Sequence, residues 1–114
     1  MRLITPAEYD FLSRVARAAG KSLHDVGLSA GTMVEPMADG GMGSLRFAAP
    51  ACEGSQRRLG EVFAEGAFTD RDGMPVSFSV NLDDCGGLFE LDIWRVDFKP
   101  LQSLPPEGAV VTVS

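Results

Sequence analysis

Apolar residues between positions 6 and 19 recur at helical spacing. They are Phe11, Leu12, Val15, Ala16, Ala18 and Ala19, with Leu12, Val15, Ala16 and Ala19 as the central stripe and Arg14 and Arg17 on the solvated side. Thr5-Pro6-Ala7-Glu8 precedes this stripe. It supplies an N-cap hydroxyl, a proline at the first helical position and a Glu placed to reach back to the cap amide. Gly20 follows as a C-terminal stop. The pattern predicts a helix over about 6–19. Residues 21–31 hold Leu23, Val26 and Leu28 interrupted by Gly27 and Gly31, and suit a short helical turn or ordered loop.

From Thr32 onward the period changes. Residues 32–38 read as a strand in which Pro36 suits an edge or a bulge, and 44–49 alternate Leu45, Phe47 and Ala49 against Ser44, Arg46 and Ala48. Asp39-Gly40-Gly41-Met42-Gly43 joins the two runs as a hairpin turn. Residues 50–58 read as loop. Strands follow at 61–69, 75–82 and 88–98, separated by the turns Asp70-Arg71-Asp72-Gly73 and Asp83-Asp84-Cys85-Gly86-Gly87. Val76, Phe78, Val80 and Leu82 alternate cleanly with Ser77, Ser79 and Asn81. In the last run Phe89, Leu91 and Ile93 face one way and Glu90 and Asp92 the other. The apolar phase then slips by one at Trp94, continuing at Val96 and Phe98. A bulge or bend near Trp94 is expected to exchange the faces. The tail, 105–114, is loop ending in the β-prone Ala109 to Val113.

These elements predict a single α+β domain, with an N-terminal helix packed on one face of a four- to five-stranded, mainly antiparallel sheet. Its 114 residues leave no room for a second domain of ordinary size. Apolar residues at 45% and charged residues at 23% exclude disorder over most of the chain.

Charge refines this picture. Of a net −6, residues 1–60 carry seven Lys/Arg and six Asp/Glu, whereas 61–114 carry three and ten. Such an acidic half repels phosphate backbones, so no nucleic-acid partner is expected. No apolar run reaches signal-peptide or membrane-span length, so no membrane association is expected. Cys52 and Cys85 are expected to be free thiols, and the protein to be cytoplasmic.

Candidate chemistry is thin. His24 is the single histidine, and neither Cys52 nor any serine has a nucleophile signature around it. One His and two distant Cys make no zinc set. Asp70, Asp72 and Gly73 open like a calcium loop, but the twelfth position is Asn81. The segment Asp39, Gly40, Gly41, Met42, Gly43 and Ser44 lacks a phosphate-binding lysine and a strand-loop-helix setting. No catalytic residue, cofactor or metal is therefore assigned. What stands out is a polar strand face bearing Glu90 and Asp92, with Trp94 in phase and Asp97 beyond the bend. Acidic groups around one aromatic suit a basic protein partner.

Three segments carry a resemblance: Gly40-Gly41-Met42-Gly43-Ser44-Leu45-Arg46-Phe47, Phe68 to Val76, and Leu88-Phe89-Glu90-Leu91-Asp92-Ile93-Trp94-Arg95-Val96-Asp97-Phe98. With them the chain resembles, from Thr5 to about Leu104, a family of small bacterial proteins that form a domain of unknown function. Arg95 and Lys99 stand where that family's last motif has Lys and Ser. Some proteins of this general sort resemble immunity proteins encoded beside bacterial toxins, which implies a context rather than a mechanism. The resemblance implies no catalytic residue.

The first expectation is thus a non-enzymatic, immunity-like binding module using Glu90, Asp92, Trp94 and Asp97. The second is a small-ligand binder or enzyme using the Asp39–Ser44 loop. The third is a structural homodimer through a strand edge, at Ala109 to Val113 or at the Pro36 strand.

Overall fold

The structure is a computed structural model that describes residues 1–48 and 58–114. Helix α1 spans Pro6–Ala18, and its start is built as the sequence implies. Thr5 Oγ1 accepts from the Glu8 amide at 3.1 Å, and the Glu8 carboxylate accepts from the Thr5 amide at 2.9 Å. Arg2 adds a two-pronged ion pair to Glu8 at 2.8 Å. Burial pushes the Glu8 carboxyl up, but Arg2 and the Thr5 amide outweigh it and hold it below its ordinary value. At the other end Gly20 takes a φ of 69°, and the Lys21 amide donates back to the Ala16 carbonyl, closing the helix.

The strands are β1 (Arg2–Leu3), β2 (Met33–Pro36), β3 (Leu45–Phe47), β4 (Leu59–Thr69), β5 (Pro75–Asp83), β6 (Leu88–Arg95) and β7 (Thr112–Val113). Among the described residues they form one antiparallel sheet of seven strands in the order β1-β2-β3-β6-β5-β4-β7. The α+β class and antiparallel pairing hold. The expected count of four to five strands is corrected to seven, because a two-residue strand is added at each edge. No alternation can be read from two residues, so only tertiary pairing reveals them.

β1 lies outside β2, so the Pro36 strand is not an edge. The Met37 amide donates to Ser44 and the Ala48 amide to the Met33 carbonyl, so the odd positions of β2 bond to β3. The missing N–H of Pro36 therefore points away from β3, beyond the two β2 residues that β1 pairs. β2 and β3 are shorter than the expected 32–38 and 44–49, and Ala49 lies outside the described residues.

One face of the sheet carries the core. Phe11 of α1 meets Phe68 and Phe78 edge-on, at ring separations of 5.5 and 5.1 Å. Leu12, Val15 and Ala16 extend the contact along the helix, and Leu101, Leu104, Val111 and Val113 close over the flank. Arg14 is not simply solvated, as its position on the polar stripe implied. It donates to the carbonyls of Pro105 and Pro106, tying the C-terminal segment to the helix.

Of the bulge or bend expected near Trp94, no bulge is found, and the chain turns just after it, at 96–97. β5 and β6 stay in register from Val76 opposite Arg95 to Asn81 opposite Glu90. The irregularity lies at the other end of β6, where Leu82 pairs with Leu88 and Phe89 is the extra residue. β6 ends at Arg95 rather than continuing to Phe98. Strict alternation is kept at the cost of an inversion: Trp94 is 41% exposed and Arg95 is 2% exposed on the core side.

Cys85 is disulfide-bonded, which corrects the expectation of a free thiol there, and Cys52 lies outside the described residues. No helix among the described residues is long and apolar enough to cross a membrane.

Candidate functional site

Directly opposed residues of antiparallel strands share a face, so the register defines what stands opposite the core. One row runs Glu35, Arg46, Glu90, Asn81 and Val62 across five strands' worth of sheet, from β2 to β4. The next holds Asp92, Ser79 and Glu65. A third holds Trp94, Ser77, Ala67 and Thr112. These rows are exposed at Glu35, Val62, Glu65, Ala67 and Trp94, half-buried at Glu90, Asp92, Ser77 and Ser79, and buried at Asn81. At the paired positions four carboxylates, Glu35, Glu65, Glu90 and Asp92, stand against the single guanidinium of Arg46.

Glu90, Asp92 and Trp94 are thus brought onto one face with Ser77, Ser79 and Asn81, as the alternation implies. Their environments differ. Glu90 is ion-paired to Arg46 directly across the strand pair. The Arg46 guanidinium also lies over the Phe89 ring, 5.0 Å from its centre. Among the described residues Asp92 is in no direct ion pair, although the Arg46 charge acts on it. Its Oδ2 accepts from Asn81 Nδ2 at 2.9 Å, and Asn81 in turn accepts from Ser79 Oγ at 2.6 Å. Burial, then the neighbouring Glu90 charge, pushes the Asp92 carboxyl above its ordinary value.

Asp97 does not join them. It turns back to Arg95, whose guanidinium donates to Asp70 at 2.8 Å, to Asp72 at 2.9 Å and to Asp97 at 2.9 Å. Asp70 also accepts from the amides of Gln102 and Ser103, at 2.9 and 3.3 Å. Its own burial favours the neutral acid. The Gln102 and Arg71 amides and Arg95 overcome this and hold the carboxyl below its ordinary value. Hydrogen bonds from Arg95 hold Asp97 down at about 2. Asp70 and Asp72 are therefore more than turn residues, because they clamp the end of β6 to the 97–103 segment. The clash between an arginine and an apolar phase at position 95 was the one signal of this cluster in the sequence.

In the Asp39–Ser44 loop, Asp39 accepts from the Met42 and Ser44 amides at 3.1 and 3.0 Å. Gly41 and Gly43 take φ of 83° and 96°, and a Cβ on either would press on Pro100 or Leu101. Ser44 Oγ is buried and bonded to both the amide and the carbonyl of Ile93. The carboxylate and two of the loop's amides are thereby engaged in holding the turn and seating residues 100–101.

A separate cleft of about 290 Å³ is lined by His24, Thr32, Phe47, Asp83 and Leu88 among others. The Asp83 carboxylate accepts from the Cys85 and Gly87 amides of its own hairpin. Asp83, Asp84 and Cys85 bring ligand-type atoms within 4.8 Å of one another. A disulfide sulfur is not the thiolate a metal takes, however.

The family described as a domain of unknown function, DUF6984, matches residues 1–105. The chain belongs to the DUF6984 family. Its match spans the helix, the strands β1 to β6 and the Arg95 cluster, and stops short of β7. No curated protein and no solved structure is significantly similar to the chain. Family membership assigns no activity, so the reading of the site rests on its residues.

Proposed function

We propose that this DUF6984 chain is a non-enzymatic protein-binding module whose open sheet face receives a basic protein partner, in an immunity-like setting. The observation that carries the reading is the inversion at the end of β6. Folding alone favours the indole inside and the guanidinium outside, yet Trp94 is 41% exposed and Arg95 is 2% exposed. Tryptophan is the residue most often found as an energetic anchor of interfaces. The excess of carboxylates around it favours a cationic partner and repels an anionic one.

Capture from cells of the source organism tests the reading. The wild-type chain, Trp94→Ala and Glu90→Lys are compared at equal loading, each checked by its melting curve. A basic protein retained by the wild type and lost by both folded variants supports the proposal. Retention of the same proteins by all three chains overturns it. The immunity-like setting is checked separately by sequencing the neighbouring gene, which should encode a toxin domain.

A further inference from the structure

On the open face one arginine sits against a carboxylate and an aromatic ring, and a second carboxylate and aromatic lie farther along the same strand. Arg46 pairs with the Glu90 carboxylate while its planar cation lies 5.0 Å from the centre of the Phe89 ring. An arginine, a carboxylate and an aromatic thus come together from β3 and β6. Farther along the same strand, Asp92 and Trp94 repeat the carboxylate and the aromatic, two positions apart on the open face. Such residues stand ~7 Å apart along a strand, which a guanidinium can bridge by pairing with one and stacking on the other.

Among the described residues, no arginine or lysine stands at the strand-paired positions beside them. Asp92 faces Ser79 and Trp94 faces Ser77, with Glu65 and Ala67 beyond. Asn81 Nδ2 donates to Oδ2 of Asp92, and burial, then the Glu90 charge, holds this carboxyl above its ordinary value. The indole is exposed, and the residues directly opposite the pair are the short side chains Ser79 and Ser77.

We propose that the Asp92–Trp94 pair is a receptor site for an arginine side chain presented by the partner polypeptide. This deepens the reading of the open face as a basic-partner surface and rests on it. Arginine rather than lysine is required because the site is an acceptor beside a flat π surface. A planar fork engages both at once, whereas an ammonium engages one as a point charge. The carboxylates Glu65 and Glu90 raise the local cation concentration without contacting that side chain.

Trp94 is the chain's one tryptophan, so its emission reports on this site alone. The full chain is titrated at physiological salt with hexaarginine amide and, separately, with hexalysine amide of equal charge. The expected result is a saturable change in Trp94 emission with hexaarginine and a dissociation constant at least about tenfold weaker with hexalysine. Asp92→Asn, which keeps an acceptor for Asn81, should fold normally and abolish the preference. Glu65→Gln removes the same charge from the same face and should keep it.

Equal affinity for the two peptides would overturn the arginine site while leaving a general basic-partner surface standing. The absence of any emission change with hexaarginine would also overturn it, whatever the capture experiment finds. A preference lost equally in Glu65→Gln and Asp92→Asn would overturn the assignment to Asp92, since diffuse charge would then explain it.

Discussion

Arg95 donates through Nη1 to Asp70 at 2.8 Å, both side chains being almost wholly inaccessible, across a separation of 25 residues. This contact joins the β4–β5 turn to the last residue of β6. Asp72, Asp97 and the amides of Gln102 and Ser103 gather around it. A buried charge pair contributes little net stability when intact, because desolvation offsets attraction. Removing one partner strands the other and is costly. Arg95→Met should therefore lower the melting temperature by roughly 10 °C or more. Arg95→Lys should recover only part of the loss, since one ammonium cannot serve three carboxylates in a fork geometry. Thermal unfolding by circular dichroism checks both.

Acid should unfold the protein through the same cluster. Asp97 titrates at about 2 in the folded chain, against ~4 for an ordinary aspartate, and Asp70 is shifted in the same direction. A depressed folded-state value means that the contribution is complete above the unfolded value and is lost as pH falls towards the folded one. The loss attributable to Asp97 should thus fall between about pH 4 and pH 2. Asp92, shifted upward, acts in the opposite sense and gains from protonation. Urea midpoints measured from pH 2 to 7 should drop steeply over that window, and less steeply in Asp97→Asn.

Phe98 has a φ of 60° and is 72% exposed. A bulky side chain in the left-handed region is strained, and this one is not recovering the strain by burial. The Phe98 amide donates to the Arg95 carbonyl and the Lys99 amide to Asp97, which holds the turn in place. Phe98→Gly should leave stability unchanged or raise it by up to about 1 kcal/mol, relief of strain being offset by glycine's unfolded-state entropy. Phe11→Ala, in the centre of the aromatic core, should instead cost about 3–5 kcal/mol. Chemical denaturation of the two variants side by side distinguishes the cases.

β7 closes on β4 because position 66 has no side chain. A Cβ on Gly66 would come 1.9 Å from the Thr112 carbonyl oxygen, which the backbone cannot accommodate without moving. Gly66→Ala should release the C-terminal strand while the rest of the sheet persists. Hydrogen exchange should then show protection of the Ser114 amide, which now donates to Glu65, falling by about tenfold or more. Protection in β5 and β6 should change little.

Periodicity alone made much of this fold legible. The capped helix, the five longer strands and the two tight Asp/Gly turns follow from local pattern and turn chemistry. The sharing of one face by Glu90, Asp92, Trp94 and the β5 serines follows from strict alternation. β1 and β7 were not legible, because two residues carry no period and their pairing depends on partners far along the chain. In the sequence Asp97, expected beyond a bend, groups with Glu90, Asp92 and Trp94 for a related reason. Its distance from Glu90 along the chain is short, but its carboxylate answers to Arg95.

The same local pattern misplaced the irregularity in β6. An apolar phase slip at Trp94 reads as a bulge when hydrophobicity is the only guide. The fold instead keeps its register and reverses the usual occupants, burying Arg95 and exposing Trp94. By itself, then, the amino-acid sequence determined the helix, the alternation and the acidic character of one face, since these depend on neighbours within a few residues. Only the tertiary structure decided which acids are clamps and which face solvent. That choice depends on where the three aspartates around Arg95 meet in space, and a buried guanidinium is tolerated only where they do.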